Sequence, residues 1–147
     1  MRTRSGAIGL AILATGGLAA AAAPRAITAS ADEAAIRQTI QYYFDGGTRA
    51  DSATLAKAFH PEARMLFVRE GTLAVVPVGE YIARVGSGKP APADDPTRKR
   101  IVSIDVTGDA AVARLEITRP GQTITDYMSL LKVGGEWKIV NKIFTRQ

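Results

Sequence analysis

The sequence predicts an α+β fold of three helices packed on a curved, mainly antiparallel sheet of about six strands. In the first half of the chain, apolar residues recur at helical spacing. In the second half, short apolar runs are separated by turns rich in Gly and Pro. The chain has 147 residues, of which 46% are hydrophobic and 22% are charged, so one globular domain is expected.

The first 31 residues have the pattern of a secretory signal peptide. Arg2 and Arg4 precede an uncharged stretch from Ala7 to Ala23 that is rich in Ala and Gly. Small residues predict cleavage after Ala31, and Ala23 is the alternative position. The stretch is too short and too weakly apolar for a comfortable membrane span. We therefore expect a secreted or periplasmic bacterial protein without a stable membrane anchor, whose mature domain covers residues 32–147.

The next segment predicts two helices. The first is expected to start at Asp32, whose side chain can cap it, and to end at Gly46-Gly47. Its apolar face consists of Ile36, Ile40, Tyr43 and Phe44. A short second helix is capped by Asp51 or Ser52 and carries Leu55 and Phe59 one turn apart. It ends at His60-Pro61, because the residue before a proline avoids helical geometry.

A hairpin and a third helix follow. Two short apolar runs, Met65–Val68 and Thr72–Val76, flank the turn at Glu70-Gly71. Pro77 opens the third helix, and Gly86 is expected to form a left-handed C-terminal cap. The apolar face of this helix is formed by Val78, Tyr81, Ile82 and Val85.

The last third of the chain predicts a loop and then a four-stranded meander. Residues 87–97 contain three prolines, so no helix or central strand can run through them. Tight turns separate the four strands, which are Ile101–Val106, Ala111–Thr118, Thr123–Val133 and Trp137–Phe144. The third of them is apolar on both faces, and we therefore expect one face to cover the helices and the other to form a homodimer.

Composition excludes several kinds of chemistry. The chain has no Cys, which removes disulfides, thiolate metal sites and a cysteine nucleophile. His60 is the only histidine, too few for most zinc or iron sites, so no metal and no cofactor are expected. The signal peptide contributes three arginines and no acid, which leaves 16 basic and 14 acidic residues. This balance gives no support for a nucleic-acid partner, and the run Arg98-Lys99-Arg100 is interpreted as a solvated strand start.

The order of elements and several local segments resemble a known superfamily. The segments are Tyr43–Gly46, Ala58–Ala63, Glu80–Tyr81, Asp126–Lys132 and Gly135–Lys142. They are similar to the "putative lumazine-binding" family of the nuclear transport factor 2-like superfamily, which also includes ketosteroid isomerase, scytalone dehydratase and polyketide cyclases. The resemblance covers nearly all of Asp32 to Phe144. It implies a cone-shaped fold in which helices and sheet enclose an apolar pocket, a scaffold that hosts unrelated enzymes and binding proteins.

Five residues are candidates to line that pocket. Asp126 shares a strand face with apolar residues and could act as an acid or base, or instead pair with a cross-strand Arg such as Arg114. Tyr43 and Tyr81 could donate to a ligand oxyanion, as the helix tyrosine of ketosteroid isomerase does, or be core aromatics. Asn141 and Trp137 lie on one face of the last strand. His60 is interpreted as capping backbone groups rather than as a base.

The functional expectation is an exported protein that binds a small apolar or aromatic molecule. Two alternatives stay open. One is a cofactor-independent isomerase, dehydratase or cyclase that uses Asp126 as acid or base, and the other is a homodimeric interaction module without a ligand. The base of ketosteroid isomerase would fall in the apolar stretch Met65–Val68, and the two histidines of scytalone dehydratase have only His60 as a counterpart. The sequence also lacks a Gly-x-Ser-x-Gly elbow.

Overall fold

The computed structural model describes the backbone of residues 23–147 and the side chains of residues 31–147. The predicted signal peptide falls for the most part outside the described residues. In the described part of the chain, no helix is both long enough and apolar enough to cross a membrane. The elements are α1 (Ala23–Arg49), α2 (Ser52–Ala58), β1 (Phe59–Arg69), β2 (Thr72–Pro77), α3 (Val78–Gly86), β3 (Arg98–Thr107), β4 (Ala110–Arg119), β5 (Gln122–Val133) and β6 (Glu136–Arg146).

The strands form one six-stranded sheet in the order β2-β1-β6-β5-β4-β3. All neighbours are antiparallel except β1 and β6, which run parallel. The predicted α+β class, the hairpin and the four-strand meander are confirmed. The three helices contact one face of the sheet, and the core of Ile36, Ile40, Leu55, Leu115, Met128, Leu130 and Ile139 is fully buried between the two layers.

A β-bulge in β6 changes which side chains face the helices. Leu130 of β5 pairs with Ile139, but the preceding Ser129 pairs with Asn141, so Val140 is an extra residue in β6. An extra residue reverses the inward and outward alternation of every position beyond it and bends the strand. Trp137 and Ile139 therefore face the helices before the bulge, and the even-numbered residues do so after it.

Polar contacts fix α1 to the turn between β5 and β6. Asp32 Oδ1 accepts from Lys132 Nζ at 2.7 Å and from Trp137 Nε1 at 3.0 Å. These two hydrogen bonds hold the pKa of Asp32 below its usual value. Thr39 Oγ1 donates to the Trp137 carbonyl at 2.9 Å. The prediction of Asp32 as the helix cap is wrong, because α1 begins earlier, at Ala23, and the carboxylate bonds to the sheet instead.

The predicted end of the first helix at Gly46-Gly47 is wrong, whereas α3 does end at Gly86 as predicted, but without the predicted left-handed cap. Close packing explains the role of both glycines. α1 continues through Gly46-Gly47, and a Cβ at Gly46 would lie 2.6 Å from the backbone nitrogen of Leu55 in α2. Gly86 does not take the left-handed conformation, and a Cβ there would lie 1.7 Å from Ser52 Oγ. Gly46 is therefore required by the close approach of the α2 backbone to α1, and Gly86, besides ending α3, leaves room for Ser52 of α2.

We predict that Gly46→Ala destabilises the protein by about 1–3 kcal/mol, because its methyl group must displace the α2 backbone. Gly47 is the matched control, since a Cβ there meets nothing within 4 Å. Gly47→Ala should be neutral or stabilising by up to about 1 kcal/mol through helix propensity. Urea unfolding of both variants measures the difference, and equal stabilities would contradict the packing argument.

Candidate functional site

A cavity of about 490 Å³ opens between the helices and one end of the sheet. Its inner wall is largely aromatic and apolar, with Tyr43, Phe44, Met65, Phe67, Val76, Tyr81, Ile117, Ile124 and Phe144. The loop of residues 87–97 closes one side and is held against α1 by a hydrogen bond from the Ala91 amide to the Thr48 carbonyl at 2.7 Å. The volume and the wall are typical of a small-molecule site.

A buried polar cluster lies at the inner end of this cavity. Tyr43 of α1 donates a hydrogen bond from its hydroxyl to Asp126 Oδ2 of β5 at 2.8 Å. Lys142 Nζ of β6 donates to the Tyr43 hydroxyl at 2.9 Å and lies 3.0 Å from Asp126 Oδ1. The carboxylate, the ammonium and the phenol thus contact one another across three elements, with Asp126 Oδ1 held by the ion pair and not by a hydrogen bond. Tyr43 and Lys142 contribute to the cavity wall, whereas Asp126 is fully buried behind them.

Aromatic rings surround the ammonium group of Lys142. Its Nζ lies 4.6 Å from the ring centroid of Phe144, 5.0 Å from that of Tyr43 and 5.8 Å from that of Tyr81. Cation–π attraction and the ion pair together offset part of the cost of burying the charge.

Burial sets the protonation of this cluster. Burial lowers the pKa of Lys142, and the adjacent Asp126 carboxylate partly opposes that effect. Burial, followed by the proximity of Tyr81 and Asp126, raises the pKa of Tyr43 well above its usual value. Burial likewise raises the pKa of Tyr81 to about 12. Both phenols are therefore neutral at physiological pH and can serve as hydrogen-bond donors.

The predicted tyrosines line the cavity, whereas the predicted Asp126 does not. Tyr43 and Tyr81 line the cavity, but the hydroxyl hydrogen of Tyr43 is already donated to Asp126. Asp126 pairs with Lys142, and Arg114 pairs instead with Glu116 at 2.9 Å. A ligand in the cavity would meet the Lys142 ammonium and the Tyr81 phenol before it met any carboxylate of the cluster.

Asn141, Trp137 and His60 lie away from this cavity. Asn141 lies on the opposite face of the sheet, where it lines a second pocket of about 430 Å³ with Tyr127 and Ile143. Trp137 is buried in the core, and its indole donates to Asp32. His60 Nδ1 accepts from the Glu62 amide at 3.3 Å, which is a backbone-capping contact of the kind predicted for it.

The bulge at Val140 explains both the misplaced Asn141 and the overlooked Lys142. Uninterrupted alternation from Trp137 places Asn141 inward and Lys142 outward, but the extra residue exchanges them. The sequence does contain a signal for this face. Lys142, Phe144 and Arg146 occupy every second position, so they lie on one face of the strand. Among the described residues, no group of three or more potential metal-ligating side chains is arranged to hold an ion.

Comparison with known families identifies the chain's relatives. Residues 31–145 match the model of the family described as "Putative lumazine-binding". The chain belongs to this family. None of the curated proteins matches it. Members of the nuclear transport factor 2-like superfamily are its structural neighbours, as the resemblance predicted.

The similar solved structures share the whole domain. A nuclear transport factor 2-like protein of unknown function from Shewanella baltica OS155 is 30% identical, with a TM-score of 0.72, and the match covers 80% of this chain and 95% of that one. A protein of the same description from Silicibacter pomeroyi DSS-3 is 27% identical, with a TM-score of 0.71 and coverage of 81% and 98%. A third, from Methylobacillus flagellatus KT, is 28% identical, with a TM-score of 0.69 and coverage of 80% and 93%.

We predict that Lys142→Met destabilises the protein by roughly 3–5 kcal/mol, because Asp126 is left buried without its ammonium partner. The double variant Lys142→Met/Asp126→Leu should recover most of this loss, since no unpaired charge remains. Lys132→Met provides a matched control, because it breaks a more exposed Lys–Asp pair whose carboxylate keeps its hydrogen bond from Trp137, and it should cost much less. Chemical denaturation gives all three values, and a double variant as unstable as the single one would contradict the assignment.

Proposed function

We propose that this protein is an exported small-molecule-binding protein and that the cavity of about 490 Å³ is its binding site. The observation that carries the proposal is an open cavity with an aromatic wall and a buried polar cluster at its inner end. An interaction module without a ligand would gain nothing from this arrangement, since packed side chains in place of the cavity would be more stable.

The wall favours an apolar or aromatic ligand body. Phe44, Phe67 and Phe144 offer ring surfaces, and Met65 supplies a deformable apolar contact. The few polar groups at the inner end can orient one polar atom of the ligand. Tyr81 is the best donor among them, because its phenol is neutral and projects from α3.

The enzymatic alternative based on Asp126 lacks direct support from this geometry. General acid–base catalysis requires a group within hydrogen-bond reach of the reacting atoms. Asp126 is fully buried behind Tyr43 and Lys142, and it does not line the cavity. Asp126 is better explained as the ion-pair partner that holds the Lys142 ammonium group in position.

We predict that the neutral fluorescent probe N-phenyl-1-naphthylamine binds the wild-type protein and that Gly47→Trp weakens this binding at least about tenfold. Gly47 lines the cavity, and the space around its Cβ position is open, so the indole can enter the site without disturbing α1. A fluorescence titration measures both affinities.

Gly79→Trp is the matched control, because it also replaces an unhindered helix glycine, but outside the cavity. Ala91→Trp introduces an indole from a second lining element, the loop of residues 87–97, so the test does not depend on the orientation of a single indole at Gly47. If the probe binds equally well to all four proteins, or to none of them, the cavity is not the binding site.

We further propose that the protein is a homodimer. The outer face of the sheet, meaning the face away from the helices, carries large exposed apolar side chains: Val68, Leu73, Val75, Val112, Tyr127, Leu131, Val133 and Ile143. Val68 is 73% exposed and Tyr127 48% exposed. A contiguous apolar face of this kind is typical of an interface, and a second copy presents the same face.

Native mass spectrometry of the protein purified from its own host tests export and assembly together. The expected species is a dimer of chains that begin at Asp32, the residue after the predicted cleavage site. Tyr127→Arg should give monomers by placing a charge in the interface, and Gln38→Arg on the exposed side of α1 should not. Chains that retain residues 1–22 would contradict export, and monomeric wild-type protein would contradict the dimer.

A further inference from the structure

Nearly all charged side chains that line the cavity are basic. Besides Lys142, six basic side chains line it: Arg69, Arg84, Lys89, Lys99, Arg119 and Arg146. Asp95 is the one acidic residue in its wall, and its carboxylate already accepts from the Thr97 backbone and hydroxyl. Like charges around a cleft with low-dielectric walls concentrate the electric field inside it.

These six cations have no carboxylate partners among the residues whose side chains the structure describes. By contrast, six of the nine basic side chains of residues 31–147 that lie outside the cavity form ion pairs: Arg37, Arg49, Arg100, Arg114, Lys132 and Lys138. Lys99 donates to the carbonyl of Phe44, and Arg119 to the side chain of Gln122, both of which are neutral acceptors. Apart from the nearby Asp95 carboxylate, which acts on Lys99 and Arg119 without forming an ion pair, the positive charge of these six side chains is not balanced locally.

The three arginines at the ends of strands share a common placement. Arg69 ends β1, Arg119 ends β4 and Arg146 ends β6, and each follows by two positions an apolar residue of the cavity wall. Solubility alone would place charge as readily on the outward positions next to them. Those positions hold Val68, Thr118 and Thr145 instead, so the charge is directed toward the cavity.

Two of these guanidinium groups lie over aromatic rings. Arg69 lies 5.1 Å from the ring centroid of Phe67, and Arg146 lies 4.9 Å from that of Phe144. A guanidinium can contact a ring through its face and still present its in-plane N–H groups to an anion. The Phe67 and Phe144 rings are themselves 4.7 Å apart, so the two arginines flank a single aromatic platform.

We infer that the ligand is an organic anion, with an apolar or aromatic body inside the cavity and an anionic oxygen group among Arg69, Arg119 and Arg146 at its mouth. This inference rests on the proposed binding function and adds the charge of the ligand to it. Planar guanidinium groups can bind carboxylate or phosphate oxygens in pairs, and the shared aromatic platform suits a ring attached to such a group.

A pair of dyes with the same aromatic body tests the charge separately from the cavity. 8-Anilinonaphthalene-1-sulfonate carries one negative charge, and N-phenyl-1-naphthylamine is its neutral counterpart. At low salt, the sulfonate should bind about tenfold more tightly than the neutral dye. This difference should shrink as added salt screens the positive charge at the mouth of the cavity. Arg119→Gln and Arg146→Gln should each weaken binding of the sulfonate by about two- to fivefold and leave the neutral dye unaffected.

Arg64→Gln is the matched control, since Arg64 is an exposed arginine of β1 that does not line the cavity. Displacement of the bound sulfonate by 1-naphthoate or by 1-naphthyl phosphate, and not by 1-naphthalenemethanol, supports the inference, and the stronger competitor identifies the anionic group. Equal affinity for the two dyes, or an equal effect of Arg64→Gln and Arg146→Gln, overturns the anion assignment while the cavity stands. Failure of both dyes to bind overturns the proposed function as well.

Discussion

The rest of the structure depends on the buried contact among Tyr43, Asp126 and Lys142. It joins α1 to β5 and β6 at the point where the helical layer separates from the sheet to leave the cavity. A buried ion pair contributes more to conformational specificity than to stability, because the desolvation of both charges offsets much of their attraction. The pair therefore favours one relative placement of the helix and the two strands, since any other placement leaves a charge in the core unpaired.

The composition of the cavity wall follows from strand alternation combined with one bulge. β1 and β4 present cavity residues at every second position up to a terminal arginine. β6 does the same only because Val140 shifts its alternation, which turns Lys142, Phe144 and Arg146 inward. Without that extra residue, Asn141 and Ile143 would face the helices, and the cavity would lose its ammonium group and half of its aromatic platform.

Charge in this molecule is sorted by location. On the helices and across the sheet, basic residues are largely neutralised by local carboxylates, whereas those around the cavity are not. The modest net charge expected for residues 32–147 hides this asymmetry, because the acids that balance the total lie elsewhere. Composition determines the total charge of the chain. The electric field in the cavity depends on how the fold arranges the strand ends and the loop of residues 87–97.

The sequence by itself determined the elements and their order. Apolar periodicity located three helices, and Gly and Pro turns located the hairpin and the meander, because these signals depend on neighbours in the chain. Local motifs also identified the family and proposed Tyr43, Tyr81 and Asp126 as residues of interest. The tertiary structure alone decided that Asp126 is paired with Lys142, that Gly46 and Gly86 serve helix contacts, and that Asn141 faces outward. Each of these depends on atoms far apart in sequence or on a bulge that shifts the register, and no local pattern of residues encodes such distances.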